Sequence, residues 1–210
     1  MMAAGYSGRP ERENTATFVF YLLLPIAVLA IHLLVLYLLL TPQQFTLALG
    51  LMVAYILPPA GKETVIPIGI VFGIPWWLMA IAVAFIDIET GLFMAYNFDL
   101  VYWIPVFGQW LENFTRSGRT FIETHGWIRK LYFSGIVFLV MVPFLGSGGV
   151  RGSVIGRLLG MERGTVFIAI VVGAIGGCLL IAFFSDTFLS WLCANSLVPP
   201  ELTDLVCTHV

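Results

Sequence analysis

The chain has 210 residues, of which 60% are hydrophobic and 10% charged, with a formal net charge of −2. Ordinary soluble domains carry about 25% charged residues, so this composition, with a mean hydropathy of +0.98, excludes that class and points to an integral membrane protein. No basic stripe offers a nucleic-acid surface, and the length suits one domain built of several membrane elements.

Residues 1–17 are polar, carry no twin arginine and read as a short cytoplasmic tail. Residues 18–40 are apolar apart from Pro25 and His32. A segment of about 20 apolar residues spans the bilayer core, and this one is too long for a signal-peptide core, so it is expected to be a retained first helix. His32 reads as a packed, hydrogen-bonded side chain, with a proton relay as the sharper alternative.

Next comes a run too short to span, Phe45 to Leu57, leading into Pro58-Pro59-Ala60-Gly61-Lys62-Glu63-Thr64. A second short run, Leu131 to Leu145, leads into Gly146-Ser147-Gly148-Gly149-Val150-Arg151-Gly152-Ser153. Runs of about 10–14 apolar residues are typically buried or re-entrant, and charged, irregular backbone at membrane depth survives only inside protein or a wet cavity. The expectation is two re-entrant helical hairpins whose breaks meet around a polar site. Gly61, Gly146, Gly148 and Gly149 would supply backbone freedom at the reversals.

Between the hairpins, Pro75 to Ile104 reads as a span carrying Asp87 and Glu89. Residues 105–130 read as a cytoplasmic amphipathic connection lying in the interface. Thr165 to Phe184 supplies the third span, and the sequence from Ser185 is mixed. The fold class is therefore all-α membrane: about three full spans plus two hairpins in a single membrane domain, 18–190, with an extracytoplasmic tail, 191–210. Arg9, Arg12, Arg116, Arg119, Arg129, Lys130 and Arg163 all fall on the side of the N-terminus in this topology. By the positive-inside rule that side is cytoplasmic. The tryptophans agree, with Trp103, Trp110 and Trp127 near one interface and Trp76, Trp77 and Trp191 near the other.

A shift of 87 positions superposes the hairpins: Gly61, Gly69 and Gly73 fall on Gly148, Gly156 and Gly160, and Ile68, Ile81, Ala82, Ile88, Leu92 and Ala95 meet identical residues. This makes residues 45–104 and 131–190 two copies of one unit, inverted if the hairpins enter from opposite faces. Gly69, Gly73, Gly156, Gly160, Gly173 and Gly177 form small-residue patterns suited to close helix packing, and leave room for a homo-oligomer.

Intramembrane ionisable residues mark function by default. Lys62, Arg151, Arg157 and Ser153 are the candidates for binding a substrate, and Glu63, Asp87 and Glu89 for proton or ion coupling. The structural alternative is a set of internal ion pairs, such as Glu63 with Arg151 locking the hairpins together, while Arg157 could simply snorkel to the headgroups. Cys178 reads as a small packed residue. Cys193 and Cys207 share the outer tail with Pro199-Pro200 between them, and can form a disulfide there. No metal-ligand spacing, Walker A loop, or hydrolase motif is present, so neither a cofactor nor an enzymatic activity is expected.

Two stretches carry a family resemblance: Pro58-Pro-Ala-Gly-Lys-Glu-Thr-Val-Ile-Pro-Ile-Gly-Ile-Val-Phe-Gly73 and Val142-Pro-Phe-Leu-Gly-Ser-Gly-Gly-Val-Arg-Gly-Ser-Val-Ile-Gly-Arg-Leu-Leu-Gly-Met161. They resemble the archaeal branch of the small multidrug export family, which is similar in turn to the DedA (VTT-domain) membrane proteins. DedA proteins carry an arginine three residues before the second-hairpin proline, where this chain has Val140. The bacterial export relatives show E-x-R-G-x-I-P, where Gly61 and Glu63 stand in place of the acidic and basic residues. The resemblance implies a proton-coupled transporter or lipid flippase for an amphipathic substrate such as a polyprenyl phosphate or phospholipid. An exporter of hydrophobic cations and a non-transporting membrane organiser are the alternatives. Membrane lipids, the substrate and protons are the expected partners.

Overall fold

The computed structural model describes residues 15–57, 60–97, 126–142 and 148–208. These form eight helices and, among the described residues, no strand: α1 Thr15–Leu39, α2 Pro42–Ile56, α3 Lys62–Val71, α4 Trp76–Asn97, α5 Gly126–Met141, α6 Gly148–Leu158, α7 Arg163–Ala194 and α8 Pro200–Cys207. Helices α1, α4 and α7 are long and apolar enough to cross a membrane, with α1 doing so over Val19–Leu39. The expected 105–130 connection, Trp103, Trp110, Pro58-Pro59 and Gly146 lie wholly or largely outside the described residues.

Contacts between helices fix the directions of α1 to α7. Along α1 and α4, Asn97 Nδ2 donates to the Tyr21 carbonyl at 3.2 Å while His32 Nδ1 meets Glu89 Oε1 at 2.9 Å, so the two run antiparallel. Along α7 and α4, Tyr96 packs on Phe167, Gly91 faces Ile170 and Trp76 packs on Phe183, again antiparallel. Helix α2 starts beside the N-terminal end of α4, where Gln44 Nε2 donates to the Gly73 carbonyl at 2.6 Å. It ends half-way along α4, where Tyr55 reaches Asp87. Helix α3 starts there and returns to Gly73.

The second hairpin enters from the other end. The Val137 and Met141 carbonyls lie beside Gly173 and Gly177, so α5 climbs parallel to α7. Helix α6 then descends beside α4, with Gly149 at Asp87 and Ser153 at Gly91. Each hairpin goes half-way and turns back, and the two come from opposite ends. Because α4 and α7 are equivalent and antiparallel, the two copies are related by inversion.

The repeat extends to the turns that end α3 and α6. Gly73 (φ 85°) and Gly160 (φ 79°) both adopt the left-handed conformation. In each, two N–H groups reach back to the preceding turn: Gly73 to Ile70 and Ile74 to Gly69, then Gly160 to Arg157 and Met161 to Gly156. Such turns satisfy carbonyls that the helix end leaves bare, and glycine has no Cβ to oppose them. Packing was the expected reason for these two glycines; the turn is the actual one. Gly69, Gly156, Gly173 and Gly177 do serve close approach, with Met79, Val166, the Val137 carbonyl and the Met141 carbonyl in the way of any Cβ.

Local sequence explains the helix starts. Thr41 caps α2, its hydroxyl accepting from the Gln44 amide while the Gln44 side chain accepts from Thr41 N–H, and Pro42 occupies the first turn where no donor is missed. Gly61 precedes α3 and its N–H donates to Thr64 Oγ1. Most of α1 faces outward, with Phe20, Ile26, Ile31 and Leu38 all exposed, as suits a helix bathed in lipid. The core lies instead between α3, α4, α5 and α7 around Val65, Ile66, Met79, Val83, Ile136, Ile170 and Ala174.

The C-terminal region departs from expectation. Instead of a mixed tail from Ser185, α7 continues to Ala194, because no proline or glycine interrupts it and Leu189 still packs on the core. The chain turns at Pro199-Pro200 into α8, which packs on α7 and touches α3. A disulfide joins Cys193 to Cys207, with Cα atoms 5.7 Å apart.

Candidate functional site

The two breaks and the middle of α4 converge on a buried ion pair. Asp87 and Lys62 have no exposed surface, and Lys62 Nζ lies 3.5 Å from Asp87 Oδ2. Asp87 Oδ1 accepts from the Tyr55 hydroxyl at 2.8 Å and from the Gly149 N–H at 3.0 Å. Gly148 N–H points to the Tyr55 oxygen at 3.4 Å. On the other side of the pair, Lys62 Nζ donates to the Val140 carbonyl at 2.5 Å.

The polarity of the broken helix accounts for this geometry. The last carbonyls of α5 and the first N–H groups of α6 have no partner within their own helices. They also carry the partial negative and positive ends of the helix dipoles. Lys62 meets the carbonyl end and Asp87 the amide end, so a single break in the second hairpin holds both members of an ion pair supplied by the first repeat. At the inverted-repeat equivalents the second copy has Val142 for Tyr55, Gly149 for Lys62 and Ala174 for Asp87. One copy contributes the charges and the other contributes bare backbone.

Gly149 is glycine because of that approach. A Cβ there would overlap the Asp87 carbonyl oxygen and come within 2.7 Å of Thr90 Oγ1, while one at Gly148 would lie 3.1 Å from Asp87 Oδ2. Both residues sit in the first turn of α6, so the backbone freedom expected of them is not what they supply. Gly61 likewise has extended geometry, φ −129° and ψ 175°, which any residue could adopt. Gly146 lies outside the described residues.

The other candidates are dispersed. Glu63 is exposed, with its carboxylate folded back over Gly61 at the start of α3, where the helix dipole favours negative charge. It forms no ion pair with Arg151; the lock between the hairpins is made one residue earlier, by Lys62. Ser153 is fully buried and donates to the Gly91 carbonyl at 3.1 Å, fastening α6 to α4. Arg157 Nη1 donates to the Met161 carbonyl at 3.2 Å across the turn after α6. Arg151 is half-buried on α6. Glu89 faces α1, away from Asp87 as the two-residue spacing requires, and bonds His32. Among the described residues no cluster of ligating side chains could hold a metal.

Sequence reasoning missed Tyr55 and the setting of Cys178. Tyr55 is the polar residue nearest the end of the first short apolar run, and that position is the one signal that could have found it. Cys178, fully buried on α7, lies within electrostatic reach of Tyr55, Lys62 and Asp87.

An all-α chain of this kind, with three potential spans and paired half-helices meeting at a buried charge pair, is a membrane protein built as an inverted repeat. The profile of the family described as "Putative small multi-drug export protein" matches residues 63–180, more than half of the chain. The chain belongs to that family. Neither a curated protein nor a solved structure gives a significant match.

Proposed function

We propose that the protein is an ion-coupled transporter that moves an amphipathic substrate past the Lys62–Asp87 junction, related in plan to the DedA lipid transporters. The observation that carries the proposal is the junction itself: an ion pair at the meeting point of two oppositely entering broken helices, poised between helix ends. In such a cycle the closed Lys62–Asp87 junction would be the occluded state. Protonation of Asp87 would weaken its hold on Lys62, the Gly149 amide and the Tyr55 hydroxyl, beside which the Gly148 amide also points. Those groups form a cradle of donors suited to a phosphate, since helix N-termini and ammonium groups bind such anions well. An anionic lipid phosphate is therefore the favoured substrate, and the half-buried Arg151 would receive it on the α6 side.

Two other readings remain distinct. A hydrophobic cation, which the family description favours, would compete with Lys62 for Asp87. A non-transporting organiser would keep the pair closed permanently, and the mutual pairing of Lys62 and Asp87 suits that role as well. Translocation in proteoliposomes separates them. Labelled phosphate headgroups should cross in the wild type and stop in Asp87→Asn. Lipophilic cations crossing instead would select the exporter, and neither crossing would sink the transport proposal.

For orientation we propose a cytoplasmic N-terminus and an external C-terminus. After reduction, Cys207 should react with impermeant thiol reagents on intact cells, whereas a cysteine placed at Ser117 should stay protected. Labelling at 117 from outside would reverse the orientation.

A further inference from the structure

A second buried titratable pair lies apart from the junction, between α1 and α4. His32 Nδ1 meets Glu89 Oε1 at 2.9 Å, with the two side chains only 4% and 8% exposed. The imidazole ring packs on Phe85, centroids 5.0 Å apart, and its Nε2 is buried with no hydrogen-bond partner. The contrast with the junction is chemical. Lys62 and Asp87 cancel in charge, and their polar atoms are held by Tyr55, Gly149 and Val140. The imidazole of His32 is satisfied on one nitrogen alone.

We propose that His32 and Glu89 form a proton-binding site separate from the junction, exchanging one proton as a unit. A carboxylate beside a neutral imidazole carries one net negative charge, and adding a single proton makes the pair neutral whichever residue holds it. Net charge inside a bilayer is costly, so occupancy by one proton is the low-energy state of the closed protein, and losing it must be coupled to movement or to a compensating charge. A metal cation is a poor substitute, since hard cations require several oxygen ligands and this pair offers one carboxylate. The unpartnered Nε2 leaves a second ring nitrogen that can hold a proton while Nδ1 keeps its bond to Glu89.

Among the described residues, no ion pair besides their own engages His32 or Glu89. On α4, Asp87 faces the opposite side toward Lys62. Tyr55 of α2 also points to Asp87. Toward the far end of the α1–α4 seam stand Tyr21 and Tyr96, stacked on each other, and Asn97. Helices α6 and α7 pack on other faces of α4: Ser153 bonds Gly91, and Cys178 faces the junction. Since α1 otherwise faces largely outward, this pair and the Asn97–Tyr21 bond tie it to α4, and the pair's protonation state would affect how firmly α1 is held. Where the transport reading holds, the pair supplies the coupling proton to it, although the site exists independently of that reading.

The test is nitrogen-15 NMR of the ring in lipid nanodiscs, using a variant with His125 and His209 replaced by glutamine so that His32 alone reports. Between about pH 5 and pH 8, the range in which histidine changes charge, the ring resonances should shift, and Glu89→Gln should change that response. A ring fixed in one form across the range, or one indifferent to Glu89→Gln, would overturn the proposal. Should Glu89→Gln fail to fold, wild-type pH dependence still decides, because an unresponsive ring refutes the site alone. In proteoliposomes the double variant H32Q/E89Q should lose the acceleration of translocation by a pH gradient. Failure of translocation in the wild type bears on the transport reading and leaves the NMR result intact.

Discussion

Replacing Lys62 by methionine should destabilise the protein by about 3–5 kcal/mol, the range for removing one partner of a buried ion pair. Asp87 would keep its bonds from Tyr55 and Gly149 but lose its counter-charge in a place with no exposed surface. The Val140 carbonyl would lose the ammonium that satisfies it. The double variant K62M/D87N should recover most of that loss, since a neutral side chain can still bond Tyr55 and Gly149, yet translocation should remain absent. Unfolding midpoints in detergent measure the first effect and flux measures the second. A single variant as stable as the wild type would mean that the pair is not buried as described.

Adding one methyl group at Gly149 should be the next most damaging change. The obstacles to its Cβ are the Asp87 carbonyl and the Thr90 hydroxyl of α4, and backbone cannot step aside as a flexible side chain would. Overpacking of this kind costs about 1–3 kcal/mol, and pushing α6 outward would also break the bond from Gly149 N–H to Asp87. Gly50 and Gly135 provide the control, because a Cβ at either meets nothing within 4 Å. Alanine there should be neutral or stabilising by up to about 1 kcal/mol through helix propensity. Equal effects at Gly149 and Gly50 would show that α6 does not approach α4 this closely.

The architecture was largely legible in the sequence, because length against bilayer thickness is a strict constraint. Two apolar runs too short to span, each ending in glycines and charge, allow few arrangements other than broken helices. The 87-residue repeat located the equivalent breaks and paired Gly73 with Gly160, although the turns these two make show only in the folded chain. The partner of Lys62 was not legible. Lys62 and Glu63 are adjacent, and which one faces inward depends on the helical phase set where α3 starts at Gly61 and Thr64. That phase turns Lys62 to the core and leaves Glu63 exposed. The role of Gly149 was hidden for a related reason: a glycine needed for close approach and one needed for a turn look alike until the neighbouring helix is placed. Asp87 and Glu89 were separable in advance, since a spacing of two puts side chains on different helix faces, but only the folded chain shows that one meets Lys62 and the other His32.

Cys178 offers the most direct test of whether the junction is a translocation centre. With Cys193 and Cys207 joined, it is the free thiol of the protein, fully buried beside Lys62 and Asp87. In proteoliposomes at rest it should react slowly with a small, membrane-impermeant thiol reagent. Imposing the substrate and a proton gradient should accelerate that reaction several-fold in the wild type and leave Asp87→Asn at the resting rate. A thiol that stays equally protected under translocating and resting conditions would contradict the idea that the broken helices open there.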